Sequence, residues 1–104
     1  MKVVLADQTE VEVVRVNVNY SFENNEYQLS IETEEDITMK QVKKAFTQEN
    51  CSTITVKRNR KADKVFEGFL ITGISQSIFE GSFGNTGVTV SLTKADDDTD
   101  EEEG

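Results

Sequence analysis

Five valines fall within the ten residues Glu10 to Asn19, and their spacing constrains the fold more than any other feature of the chain. Successive side chains on a strand face opposite ways, so apolar residues two apart share a face. Val11 and Val13 share one face, while Val14, Val16 and Val18 share the other. β-branched side chains favour extended backbone. The segment therefore predicts a strand, and the change of parity after Val13 predicts either a bulge or burial on both faces.

The same reading extends along the chain. Residues 2–5 form a short strand, followed by a turn at Ala6-Asp7-Gln8-Thr9. Glu23-Asn24-Asn25 is a turn of residues that tolerate left-handed backbone. Tyr27, Leu29 and Ile31 then alternate with polar residues as a half-buried strand. Ser52–Lys57 is a strand carrying Ile54 and Val56, residues 58–63 are a hairpin loop, and Lys64–Ile74 is one long strand. In that strand Phe66, Phe69, Leu70 and Ile71 are core candidates and Gly68 and Gly73 mark bulges. Residues 75–83 fit either a strand or a helical turn. Gly84-Asn85-Thr86-Gly87 reads as a turn, and Val88, Val90 and Leu92 alternate as the last strand.

One helix interrupts this pattern. Thr38 and Gln41 have capping-box spacing, and Ile37 and Val42 stand where a hydrophobic staple closes over the first turn. Val42, Ala45 and Phe46 share a face, and the helix stops near Gln48–Asn50. At about ten residues it is too short to persist without packing on a sheet. The order is β-β-β-α-β-β-β. This predicts an α+β fold, a mainly antiparallel sheet of about six strands with one short helix packed on one face.

The 104 residues suffice for one small domain, residues 1–95. Hydrophobic residues make up 36% and charged residues 30%, which is lean but short of intrinsic disorder. The net charge of −9 is unevenly spread. Seven of the twenty acids lie in Asp96–Glu103, leaving thirteen against eleven bases in residues 1–95. Residues 96–104 have nothing apolar to bury and repel themselves, so they are expected to be a disordered acidic tail.

Several chemistries are excluded or disfavoured. Without His there is no serine triad, Cys–His dyad or imidazole zinc centre. A single Cys forms no intrachain disulfide, so nothing argues for secretion. No apolar run approaches the ~18 residues of a membrane span, and the N-terminus turns polar at Asp7, unlike a signal peptide. Cys51 follows a helix C-terminus, which disfavours thiolate, so it reads as a small hydrophobe. Glu32, Glu34, Glu35 and Asp36 read as solvated helix-end charges rather than a hydrolytic pair, because no sugar-stacking aromatics accompany them. The acidic tail lacks calcium-loop spacing, and a nearly neutral body argues against DNA mimicry. Gly81–Gly87 leads into a strand and lacks the Lys of a phosphate loop. No catalytic, cofactor-binding or metal-binding residue is assigned.

One cluster is a candidate interaction site: Lys57, Arg58, Arg60, Lys61 and Lys64. Five cations near one turn suffice for weak, salt-sensitive phosphate contacts. No aromatic residue is interleaved to stack bases, so nucleic acid is disfavoured. A solvated hairpin tip whose charges block edge-to-edge pairing accounts for the cluster.

Two segments carry a resemblance. They are Met1-Lys2-Val3-Val4-Leu5-Ala6-Asp7-Gln8-Thr9-Glu10-Val11 and Ala45-Phe46-Thr47-Gln48-Glu49-Asn50-Cys51-Ser52-Thr53-Ile54-Thr55-Val56. Together they resemble small, largely uncharacterised proteins encoded in tail modules of phages and prophages of Gram-positive bacteria. Phe66-Glu67-Gly68-Phe69 and Val88-Thr89-Val90-Ser91-Leu92 fill later places of that pattern, and Gln8 replaces its usual Gly. The resemblance implies a virion or tail-assembly setting, made in the host cytoplasm, and no catalytic residues. The expected function is thus a non-enzymatic accessory or structural protein of a phage tail or baseplate. It would dock on another tail protein, with a homo-oligomer as a further expectation. The alternative is a small phage protein that modulates a host factor through its acidic tail. The valine pattern adds one expectation: a second apolar sheet face that one helix cannot cover.

Overall fold

The structure is a computed structural model that describes residues 1–34, 36–78 and 85–95. The expectations for residues 79–83 and for the acidic segment 96–104 lie outside the described residues. The elements are β1 (Lys2–Val4), β2 (Glu10–Ser21), β3 (Glu26–Thr33), α1 (Met39–Ala45), a 3-10 turn (Asn50–Ser52), β4 (Thr53–Lys57), β5 (Lys64–Glu67), β6 (Leu70–Ile78) and β7 (Asn85–Ala95). The strands form one antiparallel sheet in the order β5-β4-β1-β2-β3-β7-β6. The mainly antiparallel architecture with one short helix is as the sequence predicts, with seven strands in place of about six.

The valine pattern resolves as a bulge. Val13 pairs with Thr33 and Arg15 with Glu32, which leaves Val14 as the extra residue. Beyond it Val16 faces Ile31 and Val18 faces Leu29, both of which belong to the core. Val11, Val13, Val16 and Val18 therefore share the inner face, and Val14 alone turns outward, 49% exposed. The bulge also divides the pairing of β2. Its first residues pair with β1 and the remainder with β3.

The seventh strand comes from a break. The single strand expected over Lys64–Ile74 is interrupted at Gly68-Phe69, where Gly68 has φ of 80°, a conformation that costs other residues ~1–2 kcal/mol. Before the break β5 pairs with β4; after it β6 pairs with β7. Leu70 consequently faces outward, 60% exposed, instead of joining the core, whereas Phe69 is buried. β5 and β6 are the two ends of the strand order, yet only two residues separate them. The sheet therefore curls so that β5 comes back toward β2, β3 and the end of β7, with the core inside, while β5 and β6 stay unpaired with each other.

The helix carries the expected capping box. The N–H of Gln41 donates to the Thr38 hydroxyl at 3.2 Å, and the N–H of Thr38 donates to the Gln41 side chain at 2.9 Å. Val42 and Phe46 are buried and Ile37 packs against the core. The helix is seven residues long, ending at Ala45 rather than near Gln48–Asn50. Phe46 leaves helical geometry, and the Asn50 side chain donates to the part-buried Ala45 carbonyl at 2.8 Å. At the other turns, Gln8 and Asn25 hold positive φ of 76° and 52°.

β7 begins at Asn85, so Asn85–Gly87 belong to a strand rather than the expected turn. A side chain at Gly87 would place its Cβ 1.9 Å from the Thr33 carbonyl oxygen. Glycine is what lets β7 approach β3 there.

Among the described residues the outer side of the central strands is not a second apolar face. The register places Asn17, Asn19, Gln28, Ser30, Ser91 and Thr93 on the outer side of the central strands. Val14, Val65 and Leu70 are exposed apolar residues on three different strands, and Met1, Val18 and Phe22 are exposed as well. The bulge removes the reason for the expectation, because it returns Val16 and Val18 to the inner face.

Candidate functional site

The inner face is not sealed everywhere. Where β5 curls back toward β2, β3 and the end of β7, a groove of two adjoining lobes remains, with volumes of about 390 and 320 Å³. Val18, Lys64 and Phe66 line both lobes. Tyr27 and Phe69 add to the floor of the larger lobe, and Val16 and Val56 to that of the smaller. Phe66 and Phe69 meet edge to face, their ring centres 5.9 Å apart.

Cations form the rim. Lys64 and Lys94 border the larger lobe, and Arg58 and Lys64 the smaller. The Lys94 ammonium stands 5.9 Å from the centre of the Phe69 ring, at the limit of a cation–π contact. Arg58 donates to the Ala62 carbonyl at 2.8 Å, which folds the hairpin loop and leaves its charge uncompensated. Among the described residues the ion pairs are Lys2–Glu10, Arg15–Glu32 and Lys57–Asp63, so no carboxylate there neutralises Arg58, Lys64 or Lys94. Among the described residues that line it, Glu67 is the one acid.

The five cations singled out in the sequence thus divide. Arg58 and Lys64 reach the groove. Lys57 pairs with Asp63 at 3.4 Å, and Arg60 and Lys61 lie exposed in the hairpin loop, Arg60 with φ of 62°. The fold also brings Phe66, Phe69 and Tyr27 beside the cations, although none is interleaved with them in sequence. Lys94 was not singled out. Its signal was alternation: it follows Val88, Val90 and Leu92 at the same parity, and so carries a charge onto an otherwise apolar face.

β5 adds a second feature. It pairs with β4 on one side and ends the strand order, so its other side is an open edge among the described residues. The N–H of Gly68 donates to the Ser52 carbonyl at 3.3 Å, and hydrogen-bonded pairs alternate along an antiparallel ladder. Phe66 and Lys64 are therefore bonded to β4, while the N–H and C=O of Val65 and Glu67 point to the open edge.

The remaining candidates have structural roles. Cys51 is fully buried, and burial pushes its thiol up to about 11. Glu32 on β3 lies 3.8 Å from Arg15 on β2, Glu34 and Asp36 precede the helix cap without entering its first turn, and Glu35 lies outside the described residues. A cleft of about 370 Å³ follows the seam between α1 and the start of β2, bordered by Glu10, which is already paired with Lys2 at 2.8 Å. Among the described residues no group of three or more His, Cys, Asp or Glu is placed to hold a metal ion, and no helix is long and apolar enough to cross a membrane.

No protein-family model, curated protein or solved structure matches the chain.

Proposed function

We propose that this chain is a non-enzymatic accessory or structural protein of a phage tail or baseplate, and that it acts by protein–protein contact through the groove beside β5. The observation that carries the contact is the pairing of an apolar floor, Val18 and Phe66, with rim cations that have no carboxylate partner among the described residues. Uncompensated charge beside half-exposed apolar surface suits a protein interface, where a partner covers the one and neutralises the other. The tail setting comes from the resemblance at residues 1–11 and 45–56.

Mass spectrometry of purified phage particles, compared with the lysate they came from, tests the setting. The expected result is the chain in stoichiometric amount with tail proteins, in intact particles and in isolated tails. A chain abundant in the lysate and missing from particles would overturn it. Recovery of that free chain with a basic host protein, in a complex that salt dissolves, would instead favour the host-modulating alternative.

A further inference from the structure

We propose that the groove is a strand-addition site for an extended acidic segment of a partner protein. The inference rests on the reading of this groove as a protein contact, and adds which chemistry fits it. Three observations converge. Among the described residues the N–H and C=O of Val65 and Glu67 face an open edge, which is the template that strand addition requires. The groove lies alongside that edge, so an added strand is received by space rather than by packed side chains. Its lining alternates in the manner an incoming strand can match: Lys64 and Phe66 are two apart and share the inner face.

The occupant follows from this register. Side chains on one face of the added strand need an apolar group opposite Phe66, resting also on Val18 and Tyr27. They need carboxylates to either side, reaching Lys64 and Arg58 at one end and Lys94 at the other. The opposite face meets solvent and is polar. The same cations repel a basic edge, so they discriminate as well as attract. The recognised pattern is acid-x-aromatic-x-acid in extended conformation.

The test uses the full chain and synthetic peptides, followed by amide chemical shifts. The probe is acetyl-TETFTET-amide; the controls are acetyl-TKTFTKT-amide, acetyl-TETATET-amide and an oligothymidylate. The acidic aromatic peptide should shift the Val65 and Glu67 amides saturably below about 2 mM and weaken about tenfold or more between low and high salt. The alanine peptide should bind more weakly and the lysine peptide not at all. Val65→Pro removes an N–H from the open edge without touching the β4 ladder, and should abolish binding. If that variant fails to fold, Lys64→Gln combined with Lys94→Gln, at two exposed side chains, should reduce binding about tenfold.

Absence of saturable shifts, or equal binding of the lysine peptide, overturns the proposal. So does oligothymidylate binding that is indifferent to Val65→Pro, which would make the groove a nucleic-acid site. The acids at 96–98 are a competing source of charge. If Asp96→Asn, Asp97→Asn and Asp98→Asn together move the Val65 and Glu67 signals without peptide, the occupant is the chain's own segment. Movement with protein concentration alone would assign it to a second copy. Failure of peptide binding with the chain still present in phage particles would remove strand addition and leave the accessory role standing.

Discussion

The hydroxyl of Thr33 accepts a hydrogen bond from the N–H of Val88 at 3.0 Å and donates to the carbonyl of the same residue at 3.2 Å. A side chain thereby makes both bonds that a facing strand residue would make with its backbone. Thr33 is the last residue of β3 and is fully buried, and Gly87 allows the approach that puts Val88 within reach. Replacing the hydroxyl with a methyl group keeps the volume and strands two buried backbone groups. Thr33→Val should cost about 2–3 kcal/mol, and urea denaturation measures it. A variant as stable as the parent would show that β3 and β7 do not depend on this bridge.

Phe46 is the largest fully buried side chain and stands at the exit of α1. Truncation leaves a void between helix and sheet. Phe46→Ala should destabilise by about 3–5 kcal/mol, read from the thermal or urea midpoint. In a domain of this size that is a large share of the total. A loss below about 1 kcal/mol would mean that the helix is held by its cap and Val42 instead.

The first turn supplies a pH dependence. Asp7 accepts from the N–H of Thr9 at 3.0 Å and from the Asn50 side chain at 3.1 Å, and the Thr9 bonds in particular hold its carboxyl below the ordinary value. A depressed folded-state pKa contributes stability that is present above the unfolded value of about 3.9 and is lost as pH falls through the folded one. Asp7→Asn should therefore lose less stability than the parent on acidification from about pH 5 to 2. Parallel curves for the two proteins would place the acid sensitivity elsewhere. Glu10 is the other candidate, since its bond to Lys2 lowers its pKa as well.

Cys51 should resist thiol reagents in the native state. It has no exposed surface, and burial holds the thiol near 11, so thiolate is scarce at neutral pH. Ellman's reagent at pH 8 should react only as urea unfolds the chain. Rapid modification of folded protein would require local opening of the 3-10 turn.

Much of this architecture was legible because it is written in local periodicity. Glu10–Asn19 announced its bulge by a slip in valine parity, and Thr38 with Gln41 announced the helix start through one turn of capping chemistry. What escaped depends on distant register. Lys64–Ile74 alternates well enough to read as one strand, and nothing local says that its halves pair with β4 and β7 separately. Gln48 is similar: it bonds the N–H of Ile71 at 2.9 Å and the carbonyl of Phe69 at 3.1 Å, covering the start of β6 from 21 residues away or more. Of the candidate site, the hairpin charges were visible as a run, whereas Lys94, Tyr27 and Phe69 join Arg58 and Lys64 only once the sheet has rolled.

That rolled connection bears on how the molecule comes apart. β2 and the β5–β6 pair each run through both halves of the sheet, so neither half can peel away without dragging a strand from the other. Amide exchange in β1, β3, β4 and β7 should accordingly converge on a single opening free energy. The hairpin loop at residues 58–63, which both halves can spare, should open on its own.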